Sequence, residues 1–197
     1  MFDRRQLLAG TVGAVFARPA LSFTADKSDA ASALACIKAA FGRHSASIQH
    51  FDRAAVADFS LESSVPRFHL VDLDAGRIQS FLVAHGKGSD PDHTGWLKSF
   101  SNRTGSEATS EGAYLTADAY EGKHGASRRL IGLDAGNSNA LSRAIVIHGA
   151  WYVNDEMAHA GKLGRSQGCF ALSERDRAAV MEALGQGRII VATRLQG

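Results

Sequence analysis

The chain has only two cysteines and three prolines in 197 residues. Cys36 and Cys169 are too few for a disulfide-stapled scaffold, which needs at least four. Three prolines against 20 glycines exclude a Pro-rich linker and point to a fold with many tight backbone positions. No apolar run approaches the roughly 18 residues of a membrane-crossing helix. Charge is nearly balanced as well, with 22 basic and 20 acidic residues. What is present is ordinary for a packed globular chain: 45% hydrophobic and 21% charged residues exclude disordered, collagen-like and coiled-coil sequence. The length suits one domain with a sizeable core.

The N-terminus stands apart. Asp3-Arg4-Arg5-Gln6-Leu7-Leu8 sets an arginine pair before an apolar stretch over 7–17, and Ala20-Leu21-Ser22 offers the small residues a signal peptidase takes. Residues 1–25 read as a twin-arginine-like signal peptide, cut between Ser22 and Ala25. The competing reading is a short amphipathic helix that stays attached. The signal reading makes the protein exported, periplasmic or in the cell envelope. Its removal takes away Arg4, Arg5, Arg18 and Asp3, leaving 19 residues of each sign. A neutral mature chain has no positive field to attract phosphates, so no nucleic-acid partner is expected.

Residues 28–61 carry helical periodicity, with Leu34, Ile37 and Phe41 three and four apart. Within that segment, 52–59 reads as a second short amphipathic piece. After Pro66 the pattern alternates: 67–74 and 77–84 read as strands around the turn Asp74-Ala75-Gly76. The polar stretch 86–112 is too long for an ordinary connection and reads as a functional loop or a lid over a site. Strands are expected at 113–117 and 128–133, and Ala144-Ile145-Val146-Ile147 as a strand buried on both faces. Ser173-Glu174-Arg175-Asp176 resembles a capping box opening a helix to about Leu184, before a last strand at 188–193.

The apolar run ends in His148-Gly149, which places an imidazole at a strand exit beside a permissive backbone position. Cys169 follows, inside Ser166-Gln167-Gly168-Cys169. A cysteine after glycine can present backbone N–H groups to a developing oxyanion. A free thiol has a pKa of about 8.5 and needs a neighbouring base to act at neutral pH. The alternatives are a buried structural cysteine and a Cys36–Cys169 disulfide, which an exported protein permits.

The segment from Arg143 to Val153, followed by Leu163-Gly164-Arg165-Ser166-Gln167-Gly168-Cys169, resembles the YkuD-type L,D-transpeptidase family in its murein L,D-transpeptidase catalytic-domain branch. Phe100-Ser101-Asn102, Gly105-Ser106, Gly112-Ala113-Tyr114-Leu115-Thr116 and Leu130-Ile131-Gly132-Leu133 extend the likeness over about residues 65–195. The resemblance implies a mainly β, sandwich-like catalytic domain over 65–197, preceded by a helical extension at 26–64 and carrying one or two short helices. It implies a cysteine-dependent acyltransferase that cleaves the terminal D-Ala from a peptidoglycan tetrapeptide stem and passes the acyl group to an amine. Cys169 would be the nucleophile and His148 the base, with the Gly149 carbonyl orienting the imidazole. The Gly168 and Cys169 N–H groups would form the oxyanion hole, and Gln167, Ser166 and Arg165 would complete the substrate contacts. No metal or organic cofactor is implied, the partner is the stem peptide, and a monomer is the default. The chain departs from the family signature in two places: Gln167 stands where a His is usual and Ala171 where an Arg is usual. Arg165, Arg143 and Arg175 are the candidate replacements.

Several rivals share parts of these motifs. Cys169 and Arg175 have the spacing of a phosphatase loop, but Phe170-Ala171-Leu172 is too bulky for an anion nest. His69, His85, His93, His124 and His159 show no zincin spacing and read as solvated or core histidines. An NlpC-type thiol endopeptidase places its Cys before its His, the reverse of the order here. An L,D-carboxypeptidase, another cell-wall thiol hydrolase and a non-catalytic wall-binding module of the same fold remain as alternatives.

Overall fold

A computed structural model describes residues 27–195; the export signal read over 1–25 lies outside the described residues. Helix α1 (Lys27–His44) leads into strands β1 (Arg53–Asp58), β2 (Phe68–Asp72), β3 (Arg77–Phe81) and β4 (Val83–Ala84). A long connection reaches β5 (Gly112–Gly122), β6 (Gly125–Gly132) and β7 (Val146–Gly149). Then come α2 (Asp155–His159), β8 (Phe170–Leu172), α3 (Glu174–Ala183) and β9 (Ile189–Thr193). This is the mainly β class expected, with a helical N-terminal segment and two short helices. Among the described residues no helix is long and apolar enough to cross a membrane.

The nine strands form one sheet, in the order β3-β2-β1-β9-β5-β6-β7-β8-β4. Its two edges, β3 and β4, are consecutive in the chain with only Leu82 between them. The sheet therefore rolls until one segment, 77–84, supplies both edges, which leaves little unpaired edge for other chains to add to. β1 runs parallel to β9 and β7 parallel to β8.

Alternation along the strands separates two apolar layers. Ala55 and Ala57 of β1 face an interior filled by Phe59, Phe68, Tyr114, Leu130, Ile147 and Phe170. Ala54 and Val56 face outward, against Ala33, Ile37 and Ala40 of α1. Burying a large apolar side chain in this way contributes about 1.5–3 kcal/mol. Helix α3 opens on Ser173, whose hydroxyl accepts the Asp176 N–H, and sends Val180 and Met181 into the interior layer.

Residues 53–58 correct the sequence reading, which gave 52–59 to the helical segment. They form a strand near the middle of the sheet, so the helical extension ends well before residue 64. Both faces of β1 are covered, so its apolar residues run continuously instead of alternating, and periodicity cannot separate such a run from a helix. The stretch 86–112 also differs from expectation. It is a packed loop, with Ser89, Asp90, Thr109 and Ser110 buried. Asp90 accepts the Thr94 and Gly95 N–H groups at 2.9 Å each.

A buried polar chain ties this loop to the sheet. The Arg67 guanidinium donates to the Leu61 carbonyl at 2.7 Å and to His85 Nδ1 at 2.7 Å. A guanidinium only donates, so Nδ1 is the acceptor and Nε2–H faces the Asp90 carboxylate at 3.4 Å. Burial, reinforced by the Arg67 charge, lowers the His85 pKa from 6.5 to about 4. Between those values the unfolded chain holds the proton and the folded one refuses it, so stability is lost as pH falls from 6.5 towards 4. The expected loss is about 3 kcal/mol. Urea unfolding at pH 7 and 4.5 checks this, and His85→Gln should flatten the slope; an equally steep slope in that variant would assign the effect elsewhere.

Candidate active site

Strand β7 divides its side chains between two sides. Ile147 points into the interior layer, whereas Val146 and His148 line a cleft of about 410 Å³. The β7–β8 register, Ile147 against Phe170, brings Cys169 to the same cleft from the chain just before β8. Parallel pairing of two short strands thus unites groups 21 positions apart.

Cys169 is a free thiol, as is Cys36, which removes the disulfide reading. Its S–H donates to the Ala144 carbonyl, with sulfur and oxygen 3.7 Å apart. Ala144 holds φ at 54°, a left-handed conformation that costs a non-glycine residue about 1 kcal/mol or more. Burial pushes the Cys169 thiol up, while the Val146 N–H and the charges of Lys123 and Arg143 pull the other way. The His148 imidazole is lowered, first by burial and then by His124 and Lys123; the Gly149 carbonyl and Glu174 oppose them. Both shifts favour a resting pair of neutral thiol and neutral imidazole over a preformed ion pair. Alkylation of Cys169 by iodoacetamide should therefore be slow at pH 7 and rise through a midpoint above that of a free thiol. A midpoint near neutrality would show an ion pair instead.

His148 Nδ1 lies 2.8 Å from the Gly149 oxygen. A carbonyl only accepts, so Nδ1 carries the hydrogen and Nε2 is left as the basic nitrogen. The loop before Cys169 is closed by Ser166, whose hydroxyl donates to the Cys169 carbonyl at 2.7 Å and accepts the Gly168 N–H at 3.1 Å. That hydrogen bond already engages the Gly168 N–H assigned to the oxyanion hole. Ser166 accordingly shapes the loop. Gly168 has φ 112°, and a Cβ there would lie 2.6 Å from the Ala108 carbonyl, so only glycine fits. Gln167 donates its amide to Glu107 at 3.0 Å, and Glu107 also pairs with Lys87 at 2.9 Å.

The three candidate arginines separate in space. Arg165 and Arg143 line the cleft, whereas Arg175 lines a different pocket and pairs with Asp155 and Asp176. Arg143 is held by the Ser101 and Ala108 carbonyls and the Ser110 hydroxyl, at 2.8, 2.5 and 2.8 Å. Arg165 is anchored on the Asp90 and Pro91 carbonyls. Ala171 is fully buried among Leu82, Ala84, Ala150 and Leu163.

A family model described as the L,D-transpeptidase catalytic domain matches residues 26–192. The chain belongs to this family. The match takes in α1 and β1 as well as the segment after residue 65. Among solved structures, the chain is similar to an L,D-transpeptidase from Mycobacterium tuberculosis at 15% identity and TM-score 0.47, covering 73% of this chain and 58% of that one. L,D-transpeptidase 3 from the same organism gives 14% identity and TM-score 0.47, with 73% and 61% covered. The helical cell shape determining protein Pgp2 from Campylobacter jejuni gives 12% and 0.47, with 84% and 57% covered. The chain thus spans about three-fifths of the length of those proteins. No curated protein matches it.

Within this member of the family, the cleft has a wall that the sequence reading missed. Tyr120, Lys123 and His124, at the tip of the β5–β6 hairpin, line it together with Tyr152. The loop 86–112, read as a functional loop or a lid, contributes none of the lining residues and so is no lid; it supports the Ser166–Cys169 turn from behind. The other histidines have local partners: His69 the Ser80 hydroxyl, His93 the Leu163 carbonyl and His159 the Asp155 carbonyl. Among the described residues no group of three or more His, Cys, Asp or Glu is placed to hold a metal.

Proposed function

We propose that the protein is a cysteine-dependent L,D-transpeptidase acting on peptidoglycan stem peptides, with Cys169 as nucleophile and His148 as base. One observation carries the reading: an imidazole with its Nδ1–H fixed on Gly149 shares a cleft with a free thiol, and the charged liners beside them are Lys123, Arg143 and Arg165, with no carboxylate. Such a cleft suits an acidic acyl donor.

Nε2 of His148 takes the S–H proton as sulfur attacks the carbonyl of the bond joining the diaminopimelate L-centre to the terminal D-Ala. The negative charge that develops on the carbonyl oxygen falls to the Cys169 N–H, with the Gly168 N–H shared with Ser166. The imidazolium returns its proton to the departing D-Ala amine, leaving a thioester. An acceptor amine attacks that thioester, gives a proton to His148 and restores the thiol. The wall substrate requires export, which is what the arginine pair and apolar stretch at the N-terminus support.

Mass spectrometry of products from purified disaccharide-tetrapeptide tests the proposal. A cross-linked dimer lacking one D-Ala is the expected result. A tripeptide alone would retain Cys169 and His148 but make the enzyme a carboxypeptidase. Unchanged substrate would favour a wall-binding module of the same fold.

A further inference from the structure

The His124 ring lies parallel to that of His148, with centroids 4.4 Å apart and planes inclined by 22°. Their settings differ: His148 is 1% exposed, whereas His124 sits in solvent at the turn between β5 and β6 and covers it. Gly125, with φ 70°, lets the chain turn back sharply after His124. The tip also parts two spaces. The cleft holding Cys169 lies on one side, and on the other is a pocket of about 340 Å³ lined by Gly149, Trp151, Glu174 and Arg177.

One hydrogen bond, from Nδ1 to the Gly149 carbonyl, fixes one corner of the His148 ring and leaves it free to tilt about that contact. A second ring lying on its face removes the tilt and keeps water off. The charged groups that face His148 are His124 and Lys123 from the hairpin tip and Glu174 from the start of α3. Glu174 in turn pairs with Arg177 at 3.5 Å.

We propose that His124 is a positioning residue for proton transfer between Cys169 and His148: its ring, stacked on the imidazole, holds His148 at the angle from which Nε2 serves the thiol. The proposal rests on His148 being the base for Cys169, so the test includes a readout that needs no wall substrate. Turnover of disaccharide-tetrapeptide and iodoacetamide alkylation of Cys169 are each followed against pH for the wild type, His124→Ala and His124→Phe. His124→Ala should lower turnover by about tenfold or more, chiefly in kcat rather than KM, and slow alkylation at pH 7, where the thiol depends on His148, without changing the alkylation plateau at high pH. His124→Phe restores a stacked ring without a charge. It should recover most of the lost turnover and of the lost pH 7 alkylation rate. An exposed turn tolerates both changes, so melting temperatures should match the wild type. Turnover and pH 7 alkylation rates identical in all three proteins would overturn the proposal. If the wild type turns over no substrate, the transpeptidase reading fails, and the alkylation profiles still decide the role of His124.

Discussion

Cys169→Ser is expected to abolish formation of the acyl-enzyme while leaving the fold unchanged. The serine hydroxyl fits in the space that the thiol occupies beside the Ala144 carbonyl. Its proton is held far more tightly than that of a thiol, and His148, already lowered by burial, is a weak base for it. Removing a nucleophile from a coupled nucleophile–base pair costs on the order of 10⁶ in kcat. Intact-protein mass spectrometry after mixing with tetrapeptide should show the thioester mass increment in the wild type and none in the variant. Cys36→Ser is the control: that thiol is packed with the α1 layer, and its loss should leave the increment in place. An increment that persists in Cys169→Ser would remove this cysteine from the mechanism.

His148→Gln should cost about 10²–10⁴ in turnover, the contribution of a positioned general base. Glutamine can reach toward the Gly149 carbonyl with its amide hydrogens but cannot take the thiol proton. The loss should shrink as pH rises, because above the thiol pKa the sulfur ionises without help. The wild type should instead decline on the acid side through a midpoint below 6.5, since burial holds His148 neutral to lower pH. A variant whose deficit is constant with pH would make His148 a structural residue.

His148 and Cys169 were legible in the sequence because each breaks a local pattern: an imidazole ending a β-branched run, and a thiol following a glycine. Most strands were legible for the same reason, since β2, β3, β6, β7 and β9 alternate or run apolar within clear turn signals. β1 was not, because α1 covers its outer face and removes the alternation. The hairpin tip escaped for the opposite reason. The expected strand at 113–117 continues to Gly122, but residues 118–122 stand clear of the main sheet and are mostly exposed. A two-stranded projection in solvent needs no apolar face, so Asp118, Tyr120 and Glu121 look like loop residues. His124 was consequently placed among solvated or core histidines although it stacks on His148. Which backbone N–H groups serve the oxyanion could not be read from Ser166-Gln167-Gly168-Cys169 at all, because it depends on the Ser166 hydroxyl turning back onto Gly168.

β9, the last strand made, lies between β1 and β5 and is their shared neighbour. The two halves of the sheet, β1–β3 and β5–β8, are joined through the middle by this strand. Pairings so distant in sequence close slowly. The cleft belongs to the second half, whose β6, β7 and β8 pair with one another without β9. Residues 189–193 are thus a clasp between the two halves, and a change that weakens their pairing should loosen both together.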